Sequence, residues 1–300
     1  PRDPRWRTDA NIGQYDPAVN SQLTLRSGSA LGFSGPTPVS GAGRSRPLTL
    51  AGSLTLIDSI PTAPVPNAST YARHLATRAT AITRGRSGER TRLNLLAAGA
   101  TLLQRTSHRD LNVAAVTQEA GQAKGTFYVY FHTKDEFLTE LLRGYVTFEA
   151  TTFPPLPRTE TPFRSYYTRI GWYERTFARN AGILRCMLQM SETHPEIRRI
   201  WHERNAWIVE RALQETVALL KRPPRDTRSL RLAIRATGTM LDQSLFERYR
   251  VHVGPGIEET DSELLIEFHA VLGFRALFGQ NPPARELRYA KDLLTIPKLR

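Results

Sequence analysis

Lys124, Gly125, Thr126, Val129 and Tyr130 form a small set of groups suited to reading a polyanion with chemically distinct edges. At about 100° per residue, a helix that buries Phe127 and Phe131 turns Gly125, Thr126, Val129 and Tyr130 outward. A bare backbone, a hydroxyl, a branched apolar side chain and a phenol can meet base edges and thymine methyls. Lys124 stands at the N-terminal end, where its charge and the helix dipole both favour phosphate. This is recognition chemistry without bond making. The sequence has no Gly-rich phosphate loop, no Gly-x-Ser-x-Gly elbow and no His-Glu-x-x-His pair, so no catalytic residue is expected. His194, His202 and His269 lack metal-ligand spacing, and a single cysteine excludes both a cysteine-cluster zinc site and an internal disulfide. No metal and no cofactor are therefore expected. Cys186, in the apolar run Ile183–Met190, reads as a small core residue rather than a redox sensor.

The elements that must hold this face are helices. Leu93, Leu96, Ala97, Ala100 and Leu103 recur at helical spacing, predicting a helix from Ser87 to about Gln104. Asn112 is a good N-cap for a second helix, which carries Val113, Val116 and Ala120 on one face. Gly121 stands where a left-handed residue ends it. A third helix starts near Lys124. Thr133 caps a fourth, with Asp135 and Glu136 in its first turn and Phe137, Leu138, Leu141 and Leu142 behind. Two short helices joined by a tight Gly turn fit a helix-turn-helix, whose second helix enters the major groove. Beyond the Pro-rich break at Phe153–Pro157, helices are predicted over 162–178, 180–193, 195–221, 226–250 and 261–279. No segment alternates as a sheet requires, and the ordered part is expected to be all-α.

The run Lys124-Gly-Thr-Phe-Tyr-Val-Tyr-Phe131, with Ala120-Gly121 before it and Lys134-Asp-Glu-Phe-Leu138 after it, resembles the TetR family of bacterial transcriptional repressors. The resemblance is specific over about residues 89–142. It is weaker over 160–279, where Asn180-Ala-Gly-Ile-Leu-Arg185 and Arg275-Ala-Leu-Phe-Gly279 are similar to family segments. Ser107 replaces a usual turn Gly, Asn112 a Thr, Gln122 a small apolar residue and Ala123 a common Ser. The resemblance implies a homodimer in which each subunit reads half of a pseudo-palindromic double-stranded DNA operator. It adds Tyr128 and Lys134 as contacts that position the backbone, beside Lys124, Gly125, Thr126, Val129, Tyr130 and Asn112. Arg84 and Arg86, with Arg90 and Arg92, read either as a basic arm on phosphate or as a solvated helix start.

The resemblance also implies that the C-terminal helices enclose a pocket for a small, largely apolar effector. Trp172, Met187, Trp207 and Met240 are the expected lining, each mid-helix and away from the expected dimer face. That face is assigned to 226–250 and 261–279, whose Leu232, Ala236, Leu265, Phe268, Leu272 and Phe274 exceed one buried stripe.

The expected organisation is a disordered Pro/Gly-rich segment over 1–86, a helix-turn-helix domain over 87–142, a ligand-binding and dimerisation domain over 143–280, and a tail over 281–300. Residues 1–86 hold 9 of the 20 Pro and 8 of the 20 Gly, with a strand-like fragment around Leu48–Ile60. Removing 1–80 is expected to leave DNA binding nearly unchanged. The 300 residues carry a net charge of +13, spread as +6 over 1–86, 0 over 87–150 and +7 over 151–300. A basic excess favours nucleic acid, but a neutral 87–150 argues against a non-specific packaging protein bound by charge alone. Mean hydropathy is −0.38, and no window reaches the ~18 apolar residues of a membrane helix. With one cysteine and no visible secretory signal, though the chain begins at Pro1, the cytosol is the expected compartment. The function expected is a ligand-released repressor. The alternatives are a ligand-independent regulator of the same fold and, further off, an enzyme.

Overall fold

Thr70 opens the first helix of the computed structural model: its Oγ1 accepts a hydrogen bond from Arg73 N at 3.2 Å. The structure describes residues 70–82, 87–156, 161–222, 224–249 and 260–295. The fragment at Leu48–Ile60, the bulk of the Pro/Gly-rich segment, and Arg84 and Arg86 lie outside the described residues. All described residues belong to the second of two units, spanning Ala51–Arg300.

The described secondary structure is helical throughout. α1 spans Tyr71–Ala81, α2 Ser87–Leu103, α3 Val113–Glu119, α4 Lys124–Tyr130 and α5 Lys134–Thr152. They are followed by α6 Pro162–Ser191, α7 Pro195–Leu219, α8 Arg228–Arg248 and α9 Ser262–Phe278, then by short 3₁₀ turns at Ala284–Glu286 and Lys291–Thr295. The all-α expectation holds. Among the described residues no helix is long and apolar enough to cross a membrane.

Two expected boundaries are corrected. α1 lies inside the span read as disordered. Residues 70–82 contain neither Pro nor Gly, and Tyr71, Leu75 and Ala79, four apart, are all buried against the core. The Pro/Gly content of residues 1–69 hid this short amphipathic run. At the other end, residues 281–295 are no loose tail. The buried carboxylate of Glu267 accepts backbone N–H bonds from Arg288, Tyr289 and Ala290, and Leu287 and Ala290 pack into the core.

The two spans expected at 162–178 and 180–193 are the halves of one kinked helix, α6. The break is at Asn180, with φ −128° and ψ 20°. Its side chain is occupied on both ends: Nδ2 donates to Thr176 O at 2.9 Å, and Oδ1 accepts from Tyr71 N at 2.9 Å. Just beyond, a Cβ on Gly182 would lie 1.9 Å from Leu103 O, so only glycine lets α6 approach the end of α2 this closely. Arg185 Nη2 then donates to Leu103 O at 3.1 Å, a cation on carbonyls of a helix C-terminus.

Candidate DNA-reading face and effector cavity

The reading unit is built from caps that the sequence displays. Asn112 Oδ1 accepts from Ala115 N at 2.9 Å and starts α3. Gly121 ends it at φ 64°. Thr133 Oγ1 accepts from Glu136 N at 3.0 Å and starts α5, while Glu136 Oε2 takes the N–H of His132 at 2.7 Å. Ser107, standing where a turn Gly is usual, needs no left-handed backbone: its Oγ donates to Asp110 Oδ2 at 2.6 Å and accepts from Asp110 N.

α4 is fixed from behind by aromatic packing. Phe127 and Phe131 are buried, 5.4 and 5.0 Å from the ring of Phe137. The opposite face is open: Val129 is 75% and Tyr128 53% exposed, and Lys124 and Gly125 are exposed with them. Thr126 and Tyr130 are half-buried, and the Tyr130 hydroxyl reaches toward Gly88 at the start of α2. The structure thus gathers Lys124, Gly125, Thr126, Tyr128, Val129 and Tyr130 on one helix of the reading unit, with Asn112 exposed at the head of α3.

Lys134 is placed differently from its expected role on the DNA backbone. Its ammonium turns inward to three carbonyls, His108 O at 3.1 Å, Leu111 O at 3.2 Å and Arg109 O at 3.4 Å. All three donors have acceptors, so Lys134 ties the α2–α3 loop to the start of α5. No pattern local to Lys134 signals contacts more than 20 residues away.

Behind the reading unit, α6, α7 and α8 enclose a cavity of about 440 Å³ with a mostly apolar wall. None of Trp172, Met187, Trp207 and Met240 lines it. Each stands one residue before a residue that does: Tyr173, Leu188, Ile208 and Leu241. On each helix the expected residue and the lining residue differ by one step of about 100°. Trp172 and Trp207 instead flank Phe153, at 4.8 and 5.2 Å, and so support a lining ring from outside. Met187 is buried in the core, and Met240 is 36% exposed on the outer side of α8.

Two polar corners interrupt the apolar wall. In one, Arg169 donates through Nε and Nη2 to both oxygens of Glu215, at 3.1 and 2.7 Å, and through Nη2 to Pro154 O, while stacking 3.8 Å over Phe153. In the other, Tyr173 donates to Asp242 Oδ1 at 2.5 Å and accepts from Arg204 Nη2 at 3.0 Å. Arg204 is itself held by two 2.6 Å bonds to the buried Glu149. Burial pushes the Asp242 carboxyl above the usual range, against the opposing pull of Arg204 and the Tyr173 hydrogen bond. Sequence reasoning missed both corners. Cys186 is buried with its thiol pushed up to about 12 by burial, which suits an inert core residue. The described residues contain no group of His, Cys, Asp and Glu that could hold a metal ion.

On the outer side of α8 and α9, Leu232 is 67% and Phe268 37% exposed, with Ala236 and Leu264 also exposed and Leu272 half-buried. Leu265 and Phe274, expected on the same face, are buried within the chain's own core.

A helix-turn-helix unit joined to a helical region with an internal cavity is the architecture of a DNA-binding regulator. Residues 95–141 match the family model described as bacterial regulatory proteins, tetR family. A comparison with curated proteins finds none that matches. Among solved structures, the fatty acid degradation regulator FadR from Bacillus halodurans is 14% identical, with a TM-score of 0.50 over 67% of this chain and 100% of that one. A transcriptional regulator from Rhodococcus sp. Rha1 is 17% identical, with a TM-score of 0.49 over 63% and 96%. FadR from Bacillus subtilis, in complex with stearoyl-CoA, is 16% identical, with a TM-score of 0.46 over 60% and 96%. The first of these likenesses shows the fold, and the tetR-family match covers the helix-turn-helix.

Proposed function

We propose that this protein is a transcriptional repressor that binds a short inverted repeat as a homodimer and is released by a small molecule held between α6, α7 and α8. The observation that carries the reading is α4 itself: one face locked by Phe127 and Phe131, the other presenting Tyr128 and Val129 openly. Apolar and phenolic groups so exposed on a rigid helix suit base edges and thymine methyls. Lys124, Thr126 and Tyr130 complete the reading set, and Asn112 stands beside it. Lys134 supports the set from within. Two copies related by a twofold axis through α8 and α9 present two such helices, hence the inverted repeat. A cavity of 440 Å³ favours an effector-responsive regulator over one that acts without a ligand. Regulation of this kind takes place where the DNA is, in the cytoplasm, and uses no catalytic residue.

The test is selection of duplexes from a random library with the full chain, followed by fluorescence anisotropy on the selected and on scrambled DNA. An enriched inverted repeat bound well above scrambled DNA is expected. Equal binding of both sinks the reading.

A further inference from the structure

The fully buried guanidinium of Arg204 fixes the hydrogen-bonding sense of two side chains that line the cavity. A guanidinium only donates. Nε and Nη2 answer both oxygens of Glu149. Nη2 also donates to the Tyr173 hydroxyl, which passes its own proton toward Oδ1 of Asp242. Nη1 donates to Asn205 at 3.1 Å, so the amide turns Oδ1 toward Arg204 and is left with Nδ2. Two branches therefore leave one cation. One ends in a carboxylate oxygen, Asp242 Oδ2, and the other in amide N–H groups, Asn205 Nδ2, and neither atom has a hydrogen-bond partner among the described residues. Both residues are half-buried on the cavity wall, and both atoms keep accessible surface, in contrast to the sealed Nη1 of Arg169. The Arg169–Glu215 pair is closed on itself, and Arg235 lies on the exposed rim, where water screens it.

We infer that the ligand of this cavity is an apolar molecule with one uncharged head of the alcohol or primary-amide type, which donates to Asp242 Oδ2 and accepts from Asn205 Nδ2. The inference rests on the cavity being the effector site and names the chemistry that site selects. A carboxylate head has no donor and is repelled by Asp242. An ether accepts only, and leaves Oδ2 stripped of water and unpaired. An ammonium donates only, leaves Nδ2 unanswered, and meets the excess of Arg169, Arg211 and Arg235 over Glu215 elsewhere on the wall. Burial pushes the Asp242 carboxyl up, and a head that both donates and accepts suits it in either protonation state.

The probes are octan-1-ol, its isomer 1-methoxyheptane, octanoate and octylammonium. Each is titrated into the full chain at pH 8, which favours the carboxylate form of Asp242. Binding is followed by tryptophan fluorescence, since Trp201 lines the cavity, and by calorimetry. Octan-1-ol is expected to bind about tenfold tighter than the ether and than either ion. Asp242→Asn keeps the oxygen that Tyr173 needs and puts an N–H where Oδ2 was. It should cut the advantage of octan-1-ol over the ether to within about threefold and raise octanoate affinity about tenfold. Asn205→Asp keeps the oxygen that Arg204 needs and removes the N–H; it serves if the first variant does not fold, and should let octylammonium overtake octan-1-ol. Equal binding of the alcohol and the ether, tightest binding of either ion by the parent chain, or a ranking that neither variant changes overturns the inference. So does a failure of octan-1-ol to saturate below about 1 mM. Binding of the selected DNA duplex is read on the same samples. Intact duplex binding without the alcohol preference removes this inference and leaves the regulator reading standing. Alcohol preference without duplex binding does the reverse.

Discussion

Lys124 and Lys134 are ten residues apart and look alike in the sequence, yet the structure separates their work. Lys124 is exposed on α4, whereas Lys134 spends its ammonium on three carbonyls. Lys124→Ala should leave the unfolding temperature unchanged and lower the salt slope of DNA binding by about one counterion. Lys134→Ala should instead cost roughly 1.5–3 kcal/mol of stability with an unchanged salt slope. Anisotropy across a salt series and thermal unfolding distinguish the two, and an unchanged melting curve for Lys134→Ala contradicts its placement. His269 gives a pH prediction. It is buried on α9, neither ring nitrogen has a partner among the described residues, and burial lowers its pKa to about 4. A depressed folded-state value means the neutral ring stabilises the fold above its ordinary value of 6.5, and this is lost as pH falls toward 4. Between pH 7.5 and 5 the loss should be about 2 kcal/mol by urea unfolding. His269→Leu should flatten that dependence at little cost at pH 7.5, and an equally steep curve in the variant would assign the acid sensitivity elsewhere.

At the scale of the element, what the sequence displays depends on how local the cause is. Asn112, Gly121 and Thr133 mark helix ends through bonds that span three or four residues, and the structure places each where the pattern did. The cavity wall was not legible in that way. α6, α7 and α8 each carry several apolar stripes, and periodicity cannot say which stripe faces a void rather than a neighbour. Trp172, Met187, Trp207 and Met240 each precede by one residue a side chain that lines the cavity on the same helix. α1 was hidden for a third reason, a short amphipathic run placed after 69 residues of a different composition. Its burial also moves the boundary of any truncation. A chain starting at residue 70 should fold and bind DNA within a few-fold of the parent. A chain starting at residue 83 loses Tyr71 and Leu75 from the core, each worth roughly 1.5–3 kcal/mol. Circular dichroism melts of the two chains decide this, and equal melting temperatures would make α1 dispensable.

For the whole molecule, the proposed dimer draws on the apolar surface of α8 and α9. Leu232 on α8 and Phe268 on α9 are exposed, while Leu265 and Phe274 already serve the chain's own core. Leu232→Asp with Phe268→Asp should therefore dissociate the proposed dimer without unfolding the subunit, halving the mass seen by light scattering. Removing everything beyond residue 226 is a poorer test, because α8 is also a wall of the cavity. A dimer that persists in the double variant places the interface on another face. The kink of α6 has one more consequence. The same helix supplies Tyr166, Arg169 and, past its bend at Asn180, Leu188 to the cavity, and sets Gly182 and Arg185 against the tail of α2. In the proposed regulator, effector occupancy and DNA binding then both act through α6. For the proposed effector and operator, thermodynamic reciprocity follows: whatever factor the effector takes from operator affinity, the operator must take from effector affinity, so promoter-bound copies are the ones least sensitive to the signal.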